Sequence, residues 1–101
     1  MGFLHARNKA VACLRKNHYF AEDREGSPVK NLLAIGMVTA LDVERMLLGC
    51  RGDRKSYQED DHHDSRKPMI HIFKPKPWYI KLYFMDPDCV FISVHKQNEN
   101  H

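Results

Sequence analysis

Two runs of branched and aromatic residues, Trp78–Met85 and Cys89–Lys96, stand on either side of Asp86-Pro87-Asp88. Such runs around a short turn-forming segment predict an antiparallel hairpin. Side chains along a strand alternate between its two faces. In the first run Trp78, Ile80, Leu82 and Phe84 share one face, and Tyr79, Lys81, Tyr83 and Met85 the other. In the second, Val90, Ile92 and Val94 oppose Phe91, Ser93 and His95. The aliphatic faces are expected to turn inward, because Lys81 or His95 buried without a partner would be destabilising by several kcal/mol.

Upstream residues must then supply both a wider sheet and its cover. Met69–Lys74 alternates and predicts a further strand, with Ile70 and Ile72 inward and His71 and Phe73 outward. Pro75 and Pro77 keep Lys76 out of any strand interior. A short strand is expected near Arg54–Gln58, which would send Lys55 and Tyr57 to one side. Phe3, Ala6, Ala10, Cys13 and Leu14 recur at helical spacing between Phe3 and Asn17, with His5, Lys9, Arg15 and Lys16 off that stripe. His18-Tyr19-Phe20 reads as a short extended piece and Glu22–Gly26 as a charged turn. Ser27-Pro28 has the form of an N-cap and first-turn proline for a short helix ending at Gly36 in the left-handed conformation. Thr39 opens another helix, with Asp42 near its positive end and Val43, Met46, Leu47 and Cys50 on one face. Helices followed by strands predict an α+β fold, with N-terminal helices packed on one face of a small antiparallel β-sheet. Residues 1–101 read as a single domain: 3–50 mainly helical, 53–96 the sheet, and 97–101 a disordered tail.

Composition narrows the function classes. With 43% hydrophobic and 29% charged residues, the chain can bury a core. No apolar run approaches the roughly 18 residues of a membrane span. Cations interrupt Met1–Asn17, so it lacks the apolar region of a secretion signal. Cys13, Cys50 and Cys89 are odd in number and lack CxxC spacing, which suits buried free thiols in a reducing cytoplasm. No Gly-rich phosphate loop and no GxSxG elbow is present. The net charge is +3 before seven histidines are counted, so polyanionic partners are admissible and the charge depends on pH.

Alternation gathers His71, Tyr79, Lys81, Tyr83, Ser93 and His95 on the sheet face away from the helices. This set holds cations and aromatics but no carboxylate, which suits a phosphodiester: Lys neutralises phosphate and Tyr stacks a base. The same groups suit RNA cleavage without a metal, which needs a base near neutral pKa, a cation for the phosphorane and an acid for the leaving oxygen. A solvated lysine and strand-forming tyrosines equally account for Lys81, Tyr79 and Tyr83 taken singly; their convergence is what points to a site. The Asp60-Asp61-His62-His63-Asp64 cluster reads as a solvated loop, since its histidines lack metal-ligand spacing; a metal-binding regulator using His62, His63 and Asp64 is the lesser alternative.

Gly52-Asp53-Arg54-Lys55-Ser56, the following Asp/His-rich loop, Ile70–Pro75, Tyr79-Ile80-Lys81-Leu82 and Ile92-Ser93-Val94-His95 together resemble the MqsR family of bacterial toxins. The likeness covers roughly residues 36–96. It implies a RelE-like fold and a cytoplasmic toxin of a type II toxin–antitoxin system, an mRNA interferase that needs no cofactor. It makes Lys55, Tyr79, Lys81 and His95 catalytic candidates; the reading of the residues adds His71 as a second acid/base and Arg54, Tyr57, Tyr83 and Lys74 as RNA contacts. It implies RNA and a cognate antitoxin protein as partners. The family's Trp-Gln-Asp step is Met69-Ile70-His71 here, so Ile70 replaces a glutamine implicated in activity. Either His71 takes over a polar role or activity is weakened. The alternative reading is a non-catalytic RNA- or protein-binding module of the same fold.

Overall fold

The computed structural model describes residues 1–23, 30–61 and 68–97. Two helices, α1 (Phe3–Arg15) and α2 (Ala40–Leu48), accompany five strands: β1 (Tyr19–Ala21), β2 (Tyr57–Asp60), β3 (Ile70–Phe73), β4 (Trp78–Met85) and β5 (Asp88–Lys96). The fold is α+β. The strands form one sheet in the order β1-β5-β4-β3-β2, antiparallel except for β1, which runs parallel to β5 at the edge.

Both helices pack on one sheet face. Ala6, Ala10, Val11, Cys13 and Leu14 of α1 are buried, with the alanines letting the backbone approach closely. They join Val43 and Leu47 of α2 and Phe73, Ile80, Leu82, Phe84, Cys89, Phe91 and Val94 of the sheet in a single core. The α2 start is a capping box: the Asp42 N–H donates to Thr39 Oγ1 at 3.1 Å, and the Thr39 N–H donates to Asp42 Oδ2 at 2.9 Å. Those bonds hold the Asp42 carboxyl below its ordinary value of 3.8. Gly36 takes the expected left-handed conformation, at φ 77°.

Among the described residues the expected short helix is replaced by turns and a bridge. Ser27, Pro28 and Val29 lie outside the described residues, and residues 32–36 form turns. Asn31 instead makes a parallel bridge with Val94, prolonging the edge beyond β1. Its side chain is 1% exposed, and its amide donates to Phe91 O and Glu22 O at 3.0 Å and to Ile92 O at 3.3 Å. Asn31 Oδ1 accepts from the Ala34 N–H at 3.2 Å. Three acceptors around Nδ2 and one donor at Oδ1 leave the orientation of the amide in no doubt.

Two expectations of face are corrected. First, Val90, Ile92 and Val94 do not share a face. Tyr79, Ile80 and Lys81 pair with His95, Val94 and Ser93, but Leu82 pairs with Phe91, so Ile92 is an extra residue opposite the Lys81/Leu82 step. This β-bulge reverses parity within β5: Phe91 and Val94 enter the core, while Val90 and Ile92 turn to the other side. Second, β3 is turned over. Phe73 and His71 face the helices, and Ile70 and Ile72 pack with Tyr83, Val90 and Ile92 in a second apolar cluster on the opposite face. The larger ring of Phe73 fills the helix side, and His71 is buried without loss because Tyr57 bonds it.

Smaller differences follow local chemistry. The strand expected from Arg54 starts at Tyr57, because Asp53 Oδ1 accepts from the Lys55 and Ser56 N–H groups and curls residues 53–56 into a turn. Lys55 is therefore on a turn and shares no strand face with Tyr57. Gln97, expected to begin a loose tail, donates from its backbone to Pro77 O at 2.6 Å and from its side chain to Trp78 O at 3.0 Å; residues 98–101 lie outside the described residues. No helix among the described residues is long and apolar enough to cross a membrane.

Candidate nucleic-acid interface

Tyr79 and His95 are cross-strand partners on the sheet face away from the helices. Their rings stack, with centroids 5.0 Å apart and an interplanar angle of 18°. His95 Nδ1 lies 2.8 Å from Lys96 O. A carbonyl oxygen can only accept, so Nδ1 carries the hydrogen and Nε2 is the atom left to gain or lose a proton. Lys81 lies two residues along β4 from Tyr79, opposite Ser93, about 7 Å away by strand rise. Its ammonium makes no ion pair among the described residues. Tyr79, Lys81 and His95 are half-buried, whereas Tyr83 is 5% and Ser93 2% exposed, so these two form the floor of the face and not its surface.

The face is less polar than alternation alone suggests. Ile70, Ile72, Val90 and Ile92 lie on it, and β2 adds Gln58 and Asp60 at its far edge, opposite Ile72 and Ile70. The polar end holds Tyr79, Lys81 and His95.

His71 belongs elsewhere. It is 3% exposed, sits on the helix side, and its ring stacks near Tyr57 and tilts against Phe84. The Tyr57 hydroxyl donates to Glu59 Oε1 at 2.8 Å, so the 2.8 Å contact between Tyr57 Oη and His71 Nδ1 must be a bond donated by the imidazole. Burial pulls the His71 pKa below its ordinary 6.5, partly opposed by Glu59, and the same burial pushes the Tyr57 hydroxyl up. His71 thus lies across the sheet from His95, and the two imidazoles cannot meet at one phosphodiester. Tyr57 is committed to this network. Arg54 is exposed on the 53–56 turn.

Lys55 and Lys74 come together at a second place. With Arg51 and Lys76 they line a cavity of about 370 Å³ between the end of α2, the 51–56 segment and the β3–β4 connection. The only carboxylate in its lining, Asp53, is held below its ordinary 3.8 by bonds from Ser56 and Lys55 and is spent on the turn. Arg51 and Lys76 were not singled out from sequence. Their signal was the recurrence of cations in Arg51–Lys55 and Lys74–Lys76, visible as a cluster only once β2 and β3 are paired.

All three cysteines are buried free thiols, and burial raises the pKa of each. Among the described residues no three His, Cys, Asp or Glu side chains converge as metal ligands; His62, His63 and Asp64 lie outside them. Comparison with family models, with curated proteins and with solved structures finds no match, so none of these bears on the likeness to the MqsR toxins.

Proposed function

We propose that the chain is an endoribonuclease of toxin–antitoxin type that cuts single-stranded RNA without a metal. The observation that supports this reading is the Tyr79–His95 stack with Nε2 of His95 freed for proton transfer, on one sheet face with Lys81. In the proposed reaction His95 Nε2 takes the 2′-hydroxyl proton. The 2′-oxygen forms a bond to phosphorus, and the bond from phosphorus to the 5′-oxygen breaks. The leaving oxygen takes a proton from water, giving a 2′,3′-cyclic phosphate and a 5′-hydroxyl. Lys81 faces the charge that develops on the phosphorane, Tyr79 holds the imidazole by stacking, and the Lys55/Lys74 cavity takes a flanking phosphate. The RelE-like assignment and a neutralising antitoxin belong to the same reading.

The test is incubation with unstructured RNA in EDTA. Cleavage that leaves cyclic-phosphate ends, and that falls by about 10²-fold or more in His95→Ala, is the expected result. Intact RNA beside a folded protein, or cleavage indifferent to His95→Ala, refutes it. The placement of His71 across the sheet favours a second reading, a module that binds RNA and does not cut it. That reading predicts salt-dependent affinity with no product.

A further inference from the structure

A wider groove continues the basic cavity. Met37, Val38, Met46 and Trp78 line a depression of about 710 Å³ beside α2, with Arg45, Lys76 and Lys96 on its rim. It shares Gly49, Pro75 and Lys76 with the cavity that holds Arg51, Lys55 and Lys74. Both volumes fall within the usual range of ligand sites. Together their linings hold six cationic side chains and one aromatic ring, and among the described residues none of the six is in an ion pair. The two carboxylates in the combined lining are already committed: Asp42 to the cap of α2, and Asp53 to the 53–56 turn. Lys96 Nζ stands 5.8 Å from the centre of the Trp78 ring. Trp78 and Lys96 are also the cross-strand pair next to Tyr79 and His95. One residue step at this end of the hairpin therefore leads from the groove to the His95 face.

We propose that this groove is a binding track for single-stranded RNA, with one base stacked on Trp78 and the phosphates of neighbouring nucleotides held by Lys76 and the Arg51/Lys55/Lys74 cavity. A row of cations without ion-pair partners among the described residues, beside a partly exposed aromatic ring, is the arrangement that serves a backbone of regular negative charge and flat bases. An acidic amphipathic protein segment would use the apolar floor but leaves the continuation into the basic cavity unexplained. The inference rests on the RNA reading given above and extends it to residues outside the cleavage site. A strand passing the end of β4 and β5 would reach His95 with its flanking nucleotides already fixed.

Trp78 is the chain's single tryptophan, so its emission reports on the groove directly. The probe is a short 2′-O-methylated oligouridylate, which has no free 2′-hydroxyl and stays intact whether or not the protein cleaves RNA. Titration should quench Trp78 emission saturably, and added salt should reverse the quench. By anisotropy of a labelled oligonucleotide, Trp78→Ala should weaken binding at least about fivefold, the lower bound for one base stacked on an aromatic ring. Trp78→Phe, which keeps the ring and the packing, should bind nearly as the parent. Lys76→Ala should lower the salt slope by about 0.7, one phosphate contact on a single strand. Binding with unchanged emission overturns the track while leaving cleavage at His95 standing. Quenching by polyglutamate but not by the oligonucleotide overturns it in favour of an acidic protein partner, and absence of binding overturns it outright. Quenching together with failure to cut unmodified RNA upholds the track and removes the nuclease.

Discussion

Asn31→Ala is the substitution with the most to reveal about how this sheet is held. The amide is 1% exposed and bonds three carbonyl oxygens on two strand-edge segments, while its oxygen accepts from Ala34. Truncation leaves Ile92 O without its side-chain donor at the bulge; Phe91 O keeps the Glu22 N–H at 2.9 Å. Taking about 1 kcal/mol for each of the three shorter bonds gives a loss near 3 kcal/mol, before any cavity is counted. For a domain of this size that corresponds to a fall in Tm of roughly 12–24 °C. Asn31→Asp keeps the acceptor for Ala34 but sets a carboxylate oxygen against three carbonyls, so it should be at least as damaging. The assay is urea and thermal unfolding followed by circular dichroism, with Trp78 emission as a second probe. A loss under about 1 kcal/mol for both variants would refute the claim that this amide pins the bulge. The stake is functional as well: were the extra residue at Ile92 drawn out, Tyr79 would face Val94 and His95 would turn into the core.

Two further outcomes follow from buried groups near the N-terminal helix. His71 has a folded pKa below 6.5, so on acidification the unfolded chain takes up a proton that the folded one resists. Stability should therefore fall as pH drops below about 6.5, and His71→Phe, which cannot titrate, should flatten that dependence in urea midpoints measured between about pH 7.5 and 5.5; an unchanged slope would contradict it. A Cβ added at Gly52 would sit 2.7 Å from the Phe3 ring, which is wedged edge-on against Tyr57 with centroids 5.4 Å apart. Gly52→Ala should accordingly destabilise by about 1–3 kcal/mol in the same unfolding assay, and a neutral result would show that Phe3 can move aside.

Much of the chain was legible because its signals are local. The hairpin of β4 and β5, the buried stripe of α1, the Thr39/Asp42 capping box and the left-handed Gly36 each depend on residues a few positions apart. The face of β4 was equally readable, since its own alternation is unbroken from Trp78 to Met85. What failed were the places where a distant partner decides. Ile70-His71-Ile72-Phe73 carries apolar residues on both sides, so alternation alone could not say which side meets the helices. The answer came from Tyr57, which stands across β2–β3 and beneath α1 and satisfies the imidazole there. Likewise Val90-Phe91-Ile92-Ser93-Val94 reads as regular alternation, yet one of its residues is unpaired.

By itself, then, the order of residues determined that four of the five strands follow the helices, where most elements begin and end, and that Tyr79 and Lys81 look away from the core. Short-range backbone preferences and the two-residue period suffice for that. Tertiary structure alone decided that His71 is sealed on the helix side, that Lys55 joins Arg51, Lys74 and Lys76, and that Phe91 enters the core while Val90 and Ile92 turn from it. Each of these depends on strand register, and register is set by bonds such as those of Asn31 to the carbonyls of Phe91 and Ile92, made across 60 positions of chain and invisible to any local pattern.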